Sequence, residues 1–256
     1  VYATDVDGDG DLDVLSAFRS GDTIAWYEQV GSPGPEIFQP QTLSELKTAV
    51  NLWVDDNATA LTTYGEINTW DVSLITDMTQ LFDQKTSFND DIGNWDVSNV
   101  TSMNSIFRHA DSFNSDISNW DVSNVTNFGQ AFRFMDSFNQ DLSDWDVSSV
   151  WNMHEMFQGA LAFNGDISTW DVSSVTKMSN VFKDAVSFNQ DLSNWDVSNA
   201  TQMYSIFDGV NLSDENKCAI HTSFSEQNSL WPYDWSNLCP FQPQTKAELE
   251  TAVDLW

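Results

Sequence analysis

A period of 25 residues constrains this chain more than any other feature. The tetrapeptide Trp-Asp-Val-Ser begins at Trp70, Trp95, Trp120, Trp145, Trp170 and Trp195, each 25 residues after the last. Phe82, Phe107, Phe132, Phe157, Phe182 and Phe207 keep the same step, as do Phe88, Phe113, Phe138, Phe163 and Phe188, each followed by Asn. Asp91, Asp116, Asp141, Asp166 and Asp191 follow in register, and no insertion breaks the spacing. Such regularity has a physical cause. In a solenoid each coil rests on the same positions of its neighbours, so an inserted residue would break every column at once.

Phe88, Ile92, Trp95, Val97, Val100, Met103 and Phe107 are then expected to stack as apolar columns. The stretch holding Ile92, Trp95 and Val97 reads as the strand of each coil, and the stretch from Thr101 to Ala110 as a short helix or turn. Parallel strands at the usual spacing give a rod about 29 Å long. Asn at a fixed place, as at Asn89, can form a side-chain ladder. Asp after Trp, as at Asp96, caps the following turn.

One coil cannot bury its apolar face alone, so the stack needs ends. Thr42 and Glu45 form a capping-box pattern ahead of Leu46, Ala49, Val50 and Trp53 at helical spacing, which predicts a cap helix over 42–53. Ser213 opens a second predicted cap helix. Residues 241–256 repeat residues 38–53 at twelve of sixteen positions, at an offset of 203 residues. Residues 241–256 therefore read as the start of a second tandem module. The expected organisation is a β fragment at 1–30, a Gly/Pro-rich linker at 31–41, a solenoid at 42–240 and the next module from 241. Within the solenoid the repeats run over about 64–210 and a C-terminal cap over 211–240.

The repeat, with its consensus of Phe-Asn, Asp-Ile-Ser and Asn-Trp-Asp-Val-Ser-Asn-Val-Thr, resembles the BspA-like surface-protein repeats, also found in mycoplasma lipoproteins, marine bacteria and some protists. The resemblance covers about residues 42–238. It implies a leucine-rich-repeat-like solenoid with short parallel strands, and a place at the cell surface, in some members with a role in adhesion. It implies no enzyme activity and no defined binding residue.

Residues 5–13 place carboxylates at Asp5, Asp7, Asp9 and Asp13, with Gly10 for the tight turn and the carbonyl of Asp11 as a further ligand. That spacing wraps a chain around a hard cation, Ca²⁺. Residue 16 is Ser where an EF-hand needs Glu. Residues 3–30 resemble instead the FG-GAP or VCBS-type repeats of propeller blades, which carry Ca²⁺ in such a loop. The alternative is a solvated acidic turn.

Charge narrows the function classes. Nine Lys and Arg against 39 Asp and Glu give a formal net charge of −30, with nothing to neutralise a row of phosphates. Nucleic acid and anionic membrane surfaces are therefore excluded as partners. No apolar run is long enough to span a membrane. A 41% hydrophobic content with 12 Trp and 17 Phe excludes a disordered chain. The excess charge keeps a crowded surface soluble.

No pattern for catalysis stands out. His109, His154 and His221 are scattered, and carboxylates present in every coil read as structural parts. The chain has no G-x-S-x-G, P-loop or dinucleotide fingerprint. An enzyme is not expected. Cys218 and Cys239 lie in the C-terminal cap, where an extracellular disulfide would pin it; two reduced buried thiols are the alternative. Sequons occur at Asn57, Asn99, Asn124, Asn199 and Asn211. In a secreted eukaryotic protein they could carry glycans; in a bacterium they are repeat chemistry. The Trp column reads as core rather than as a sugar platform. Departures from the repeat at Arg108, Arg133, Phe134 and Trp151 are the candidate contact positions.

Together these features predict an extracellular structural protein, a tandem module of a surface stalk, array or filament. Its expected partners are further copies of itself or tandem modules of the same chain. The alternative is a cell-surface adhesin that binds a host protein or glycan through the solenoid face.

Overall fold

The structure, a computed structural model, describes residues 37–240 and, within residues 1–36, the backbone of three strands. The chain divides into two units, Val1–Phe38 and Gln39–Trp256. In the first unit β1 (Tyr2–Thr4), β2 (Asp13–Ala17) and β3 (Ile24–Tyr27) form an antiparallel sheet in the order β1-β2-β3. Its register pairs Ala3 with Val14 and Leu15 with Trp26.

The second unit begins with α1 (Leu43–Asp55) and α2 (Asn57–Tyr64). The Thr42 side chain accepts from the Glu45 amide, and Glu45 accepts in turn from the Gln41 amide. Two donors that a helix start leaves open are thereby satisfied. Asp56 ends α1 and caps α2 through the Thr59 amide. Leu46, Ala49, Val50 and Trp53 form the buried stripe of α1. Trp53 meets Trp70 edge to face at 5.8 Å and donates from its indole to Asp90. At the far end α3 (Asp214–Gln227), capped by Ser213, buries Ile220 and Phe224.

The repeats between these helices correct the expectation of a leucine-rich-repeat-like solenoid. Residues 37–240 contain no β-strand, and the stretch over Ile92, Trp95 and Val97 is a pair of turns. The Asp91 side chain accepts from the Gly93 amide and Asp96 from the Ser98 amide. The Trp95 amide bonds to the Ile92 carbonyl and the Val100 amide to that of Val97. An Asp two residues before each of these amides draws the backbone into a turn every five residues, so the N–H groups are not free to pair with a neighbouring strand.

The stretch from Thr101 to Ala110 is not helical either. The amides of Met103, Ser105, Phe107 and His109 donate to the carbonyls of Asn127, Gly129, Ala131 and Arg133 in the next coil, at 2.9–3.0 Å. Between them the chain makes three-residue turns, with Ser105 at φ 55° and His109 at φ 58° in the left-handed region. A helix would spend those amides within itself. Coil-to-coil pairing takes the form of single parallel bridges, Asp77 to Ser102, Ser102 to Asn127 and so on to Gln202.

The interior is aromatic. Successive Phe rings from Phe82 to Phe207 stack at 5.2–5.8 Å, and a second column from Phe88 to Phe188 at 5.8–6.3 Å. The six repeat tryptophans are buried. From Trp95 to Trp195 each donates its indole N–H to a carbonyl 28 residues earlier, as Trp120 does to Ile92, at 2.8–3.1 Å. Burial of so large a ring tolerates its single polar atom only when that atom is paired. On the exposed edge Asn89, Asn114, Asn139 and Asn164 each accept from the backbone amide of the next Asn at 2.7–2.9 Å, and Ser213 closes the series on Asn189.

Candidate functional site

A column that repeats in every coil is spent on the stack, so a site has to lie where the columns change. The largest changes fall along the turn side. One column reads Thr79, Asn104, Gly129, His154, Ser179 and Tyr204; another reads Asp83, Arg108, Arg133, Gln158, Lys183 and Asp208. Four of the nine Lys and Arg of this chain, Arg108, Arg133, Lys177 and Lys183, sit on this side together with His109 and His154.

Much of that charge is spent internally. Arg108 makes a two-pronged pair with Asp83, Nε to Oδ1 at 2.8 Å and Nη2 to Oδ2 at 2.7 Å. This bond raises the pKa of the guanidinium further. Arg133 pairs with Glu155 at 3.2 Å and lies 4.5 Å from the centre of the Phe134 ring. Phe134 is stacked on His109 at 4.7 Å. Glu155 also accepts from Gln130 and faces His154 Nε2 at 3.3 Å. Nearby, burial and the neighbouring Asp136 raise the pKa of the Asp111 carboxyl. Of the four positions singled out from sequence, Arg108, Arg133 and Phe134 are thus held in contacts within the stack. Only Trp151 stands out into solvent, 41% exposed.

The structure adds residues that the sequence did not single out. Lys177 places its ammonium 4.9 Å from the centre of the Trp151 ring. Tyr204 is 56% exposed. Arg133 Nε, His154 Nδ1, Gln158 Oε1 and Ser179 Oγ are all buried without a hydrogen-bond partner among the described residues. All four lie in the two variable columns. A sequence signal for Tyr204 existed, since a large aromatic follows Ser179 in a column of small and polar residues.

The remaining candidates are placed as follows. Cys218 and Cys239 are joined in a disulfide, with Cα atoms 4.9 Å apart. Asn57, Asn99, Asn124, Asn199 and Asn211 are exposed. Four of them are tied down, however. Asn99, Asn124, Asn199 and Asn211 donate from Nδ2 to the carbonyls of Ser73, Ser98, Ser173 and Val186 in the preceding coil. Asp5, Asp7, Asp9 and Asp11 lie outside the described residues, and Asp13 is placed only as the first residue of β2. Among the described residues no group of three His, Cys, Asp or Glu side chains is arranged to hold a metal ion. No helix among them is long and apolar enough to cross a membrane.

A family model described as "Mycoplasma protein of unknown function, DUF285" matches residues 53–158 and again residues 126–223. The two matches overlap and together cover the 25-residue repeats. The FG-GAP-like residues 3–30 lie outside them. No curated protein and no solved structure matches the chain.

Proposed function

We infer a structural role from one premise: the chain belongs to the family of Mycoplasma proteins of unknown function, DUF285. The proposed role is an extracellular or cell-surface spacer, one module of a tandem-repeat stalk, array or filament. The observation that carries it is the way every conserved position is used up in stacking. Each coil hands its aromatic rings, its indole N–H, its Asn side chain and its turn-side amides to a neighbour. What such a design provides is length and stiffness.

The sequence at 241–256 supports a further module. It carries Leu249, Ala252, Val253 and Trp256 at the positions of Leu46, Ala49, Val50 and Trp53, the buried stripe of α1. The Asp5–Asp13 loop is proposed to take Ca²⁺ within the N-terminal unit. The Cys218–Cys239 disulfide fits an oxidising compartment. Negative-stain microscopy of the native material, with the polypeptide mass taken on the same sample, tests the reading. Elongated particles or regular filaments on a polypeptide several times the mass of this chain are expected. Discrete compact particles with the mass of this chain alone would overturn it.

A second reading, a surface adhesin, draws on a different observation: large aromatic side chains exposed where the repeat pattern is broken, at Trp151 and Tyr204.

A further inference from the structure

We propose that the turn side of the last three coils is a binding strip for an acidic polysaccharide, built from Trp151, His154, Lys177, Ser179 and Tyr204. The inference deepens the adhesin reading and rests on it.

Trp151 and Tyr204 are the only aromatic side chains among the described residues that are large, hydrophobic and exposed. Each replaces a smaller residue of its column, so neither is needed by the stack. The Trp151 carbonyl accepts from the Thr176 and Lys177 amides, Lys177 bridges to Gln202, and the Asn180 amide donates to the Tyr204 carbonyl. The two rings therefore flank one coil on the same side, roughly 10 Å apart along the stack at the usual spacing of paired backbones. An oligosaccharide reaches across that interval where a single sugar ring does not. Exposed indole and phenol rings offer the flat, polarisable faces on which the C–H face of a pyranose packs.

The polar groups match the same ligand. Ser179 lies between His154 and Tyr204 in its column; its side chain is fully buried, and its hydroxyl has no partner. His154 Nδ1 is likewise buried and unpartnered. Unpartnered buried polar atoms are rare and costly, and here they are concentrated beside the two exposed rings. A ligand carrying many hydroxyl groups supplies both donors and acceptors to such atoms. Lys177 has no carboxylate partner among the described residues, and its ammonium lies over the Trp151 ring. On a chain of net charge −30 an unpaired ammonium beside a sugar platform selects a carboxylate-bearing sugar over a neutral one.

The test is calorimetric titration of the native full chain with oligogalacturonate and, in parallel, with a neutral maltooligosaccharide. The variants are Trp151→Thr and Tyr204→Ser, which restore residue types that other coils carry at those positions and so keep the stack. Binding of the acidic sugar alone is expected, weakening with added salt. Each variant should lower that affinity by about tenfold or more. Binding that survives both substitutions overturns the strip while leaving the adhesin reading in place. No binding of either sugar to the native chain overturns the glycan inference altogether, and the spacer reading is then still judged by microscopy. Equal binding of the neutral sugar removes the role given to Lys177.

Discussion

Gly159 takes a φ of +67°, and a Cβ built there would lie 2.5 Å from Cδ1 of the Phe134 ring. The column it belongs to shows that the backbone alone does not demand glycine. Gln84, His109, Phe134 and Asp184 hold the same left-handed conformation at φ 58–62°. At these positions the backbone penalty is tolerated because each amide is committed to the next coil. What singles out Gly159 is the ring above it. Gly159→Ala is expected to destabilise the fold by about 1–2 kcal/mol, measured by urea unfolding. In a Phe134→Gln background the cost should shrink, since the contact is gone; equal costs in both backgrounds would show that the ring plays no part.

At the scale of the element, the unit that recurs is the Asp-x-Ser turn. The Asp121 side chain accepts from both the hydroxyl and the amide of Ser123, at 2.7 and 3.1 Å, and those bonds hold its carboxyl below the usual carboxylate range. Asp116, Asp146, Asp166 and Asp196 are lowered in the same way by the Ser two residues on. A pKa depressed in the folded state adds stability above the unfolded value, about 3.9, and that stability is lost as pH falls through the folded value. Asp121→Asn keeps an acceptor oxygen but loses the charge. The variant is therefore expected to melt below the wild type at pH 7, with the gap closing as pH drops below about 4. A gap that stays constant from pH 7 to pH 3 would mean the ionised carboxylate contributes nothing to the turn.

At the scale of the whole molecule, the ends decide whether the stack holds. The last coil has no following coil to receive its amides, and the C-terminal cap supplies stand-ins. Tyr233 accepts from the Phe207 amide and donates to Asp208, while Gln227 and Asn228 bond to the exposed backbone of Trp195, Val197 and Ala200. Trp231, Tyr233 and Trp235 cover Phe207 where another Phe would have stacked. The disulfide from Cys218 in α3 to Cys239 ties this cover down. Cys239→Ser is expected to cost about 2–4 kcal/mol. It should speed hydrogen exchange at the Phe207 amide before that at Phe107. Exchange that rises equally at both would show global rather than local loosening.

The sequence by itself determined the period, the buried columns and the helical ends. A 25-residue step without insertions leaves no arrangement except coils in register, and Thr42 with Glu45 marks a helix start whatever follows. It did not determine the path of the chain within a coil. Alternating Ile92, Trp95 and Val97 beside polar residues fits a strand as well as a series of turns. The choice falls to where the amides go: Asp91 and Asp96 take them locally, and the next coil takes those of Met103 to His109. The candidate site divides the same way. Trp151 was visible as a break in a Thr column, whereas Arg108 and Arg133 looked available until the coil stacking brought Asp83 and Glu155 beside them. Lys177, Ser179 and Tyr204 acquire a common meaning only through that stacking, because residues 25 apart in the chain become nearest neighbours in space.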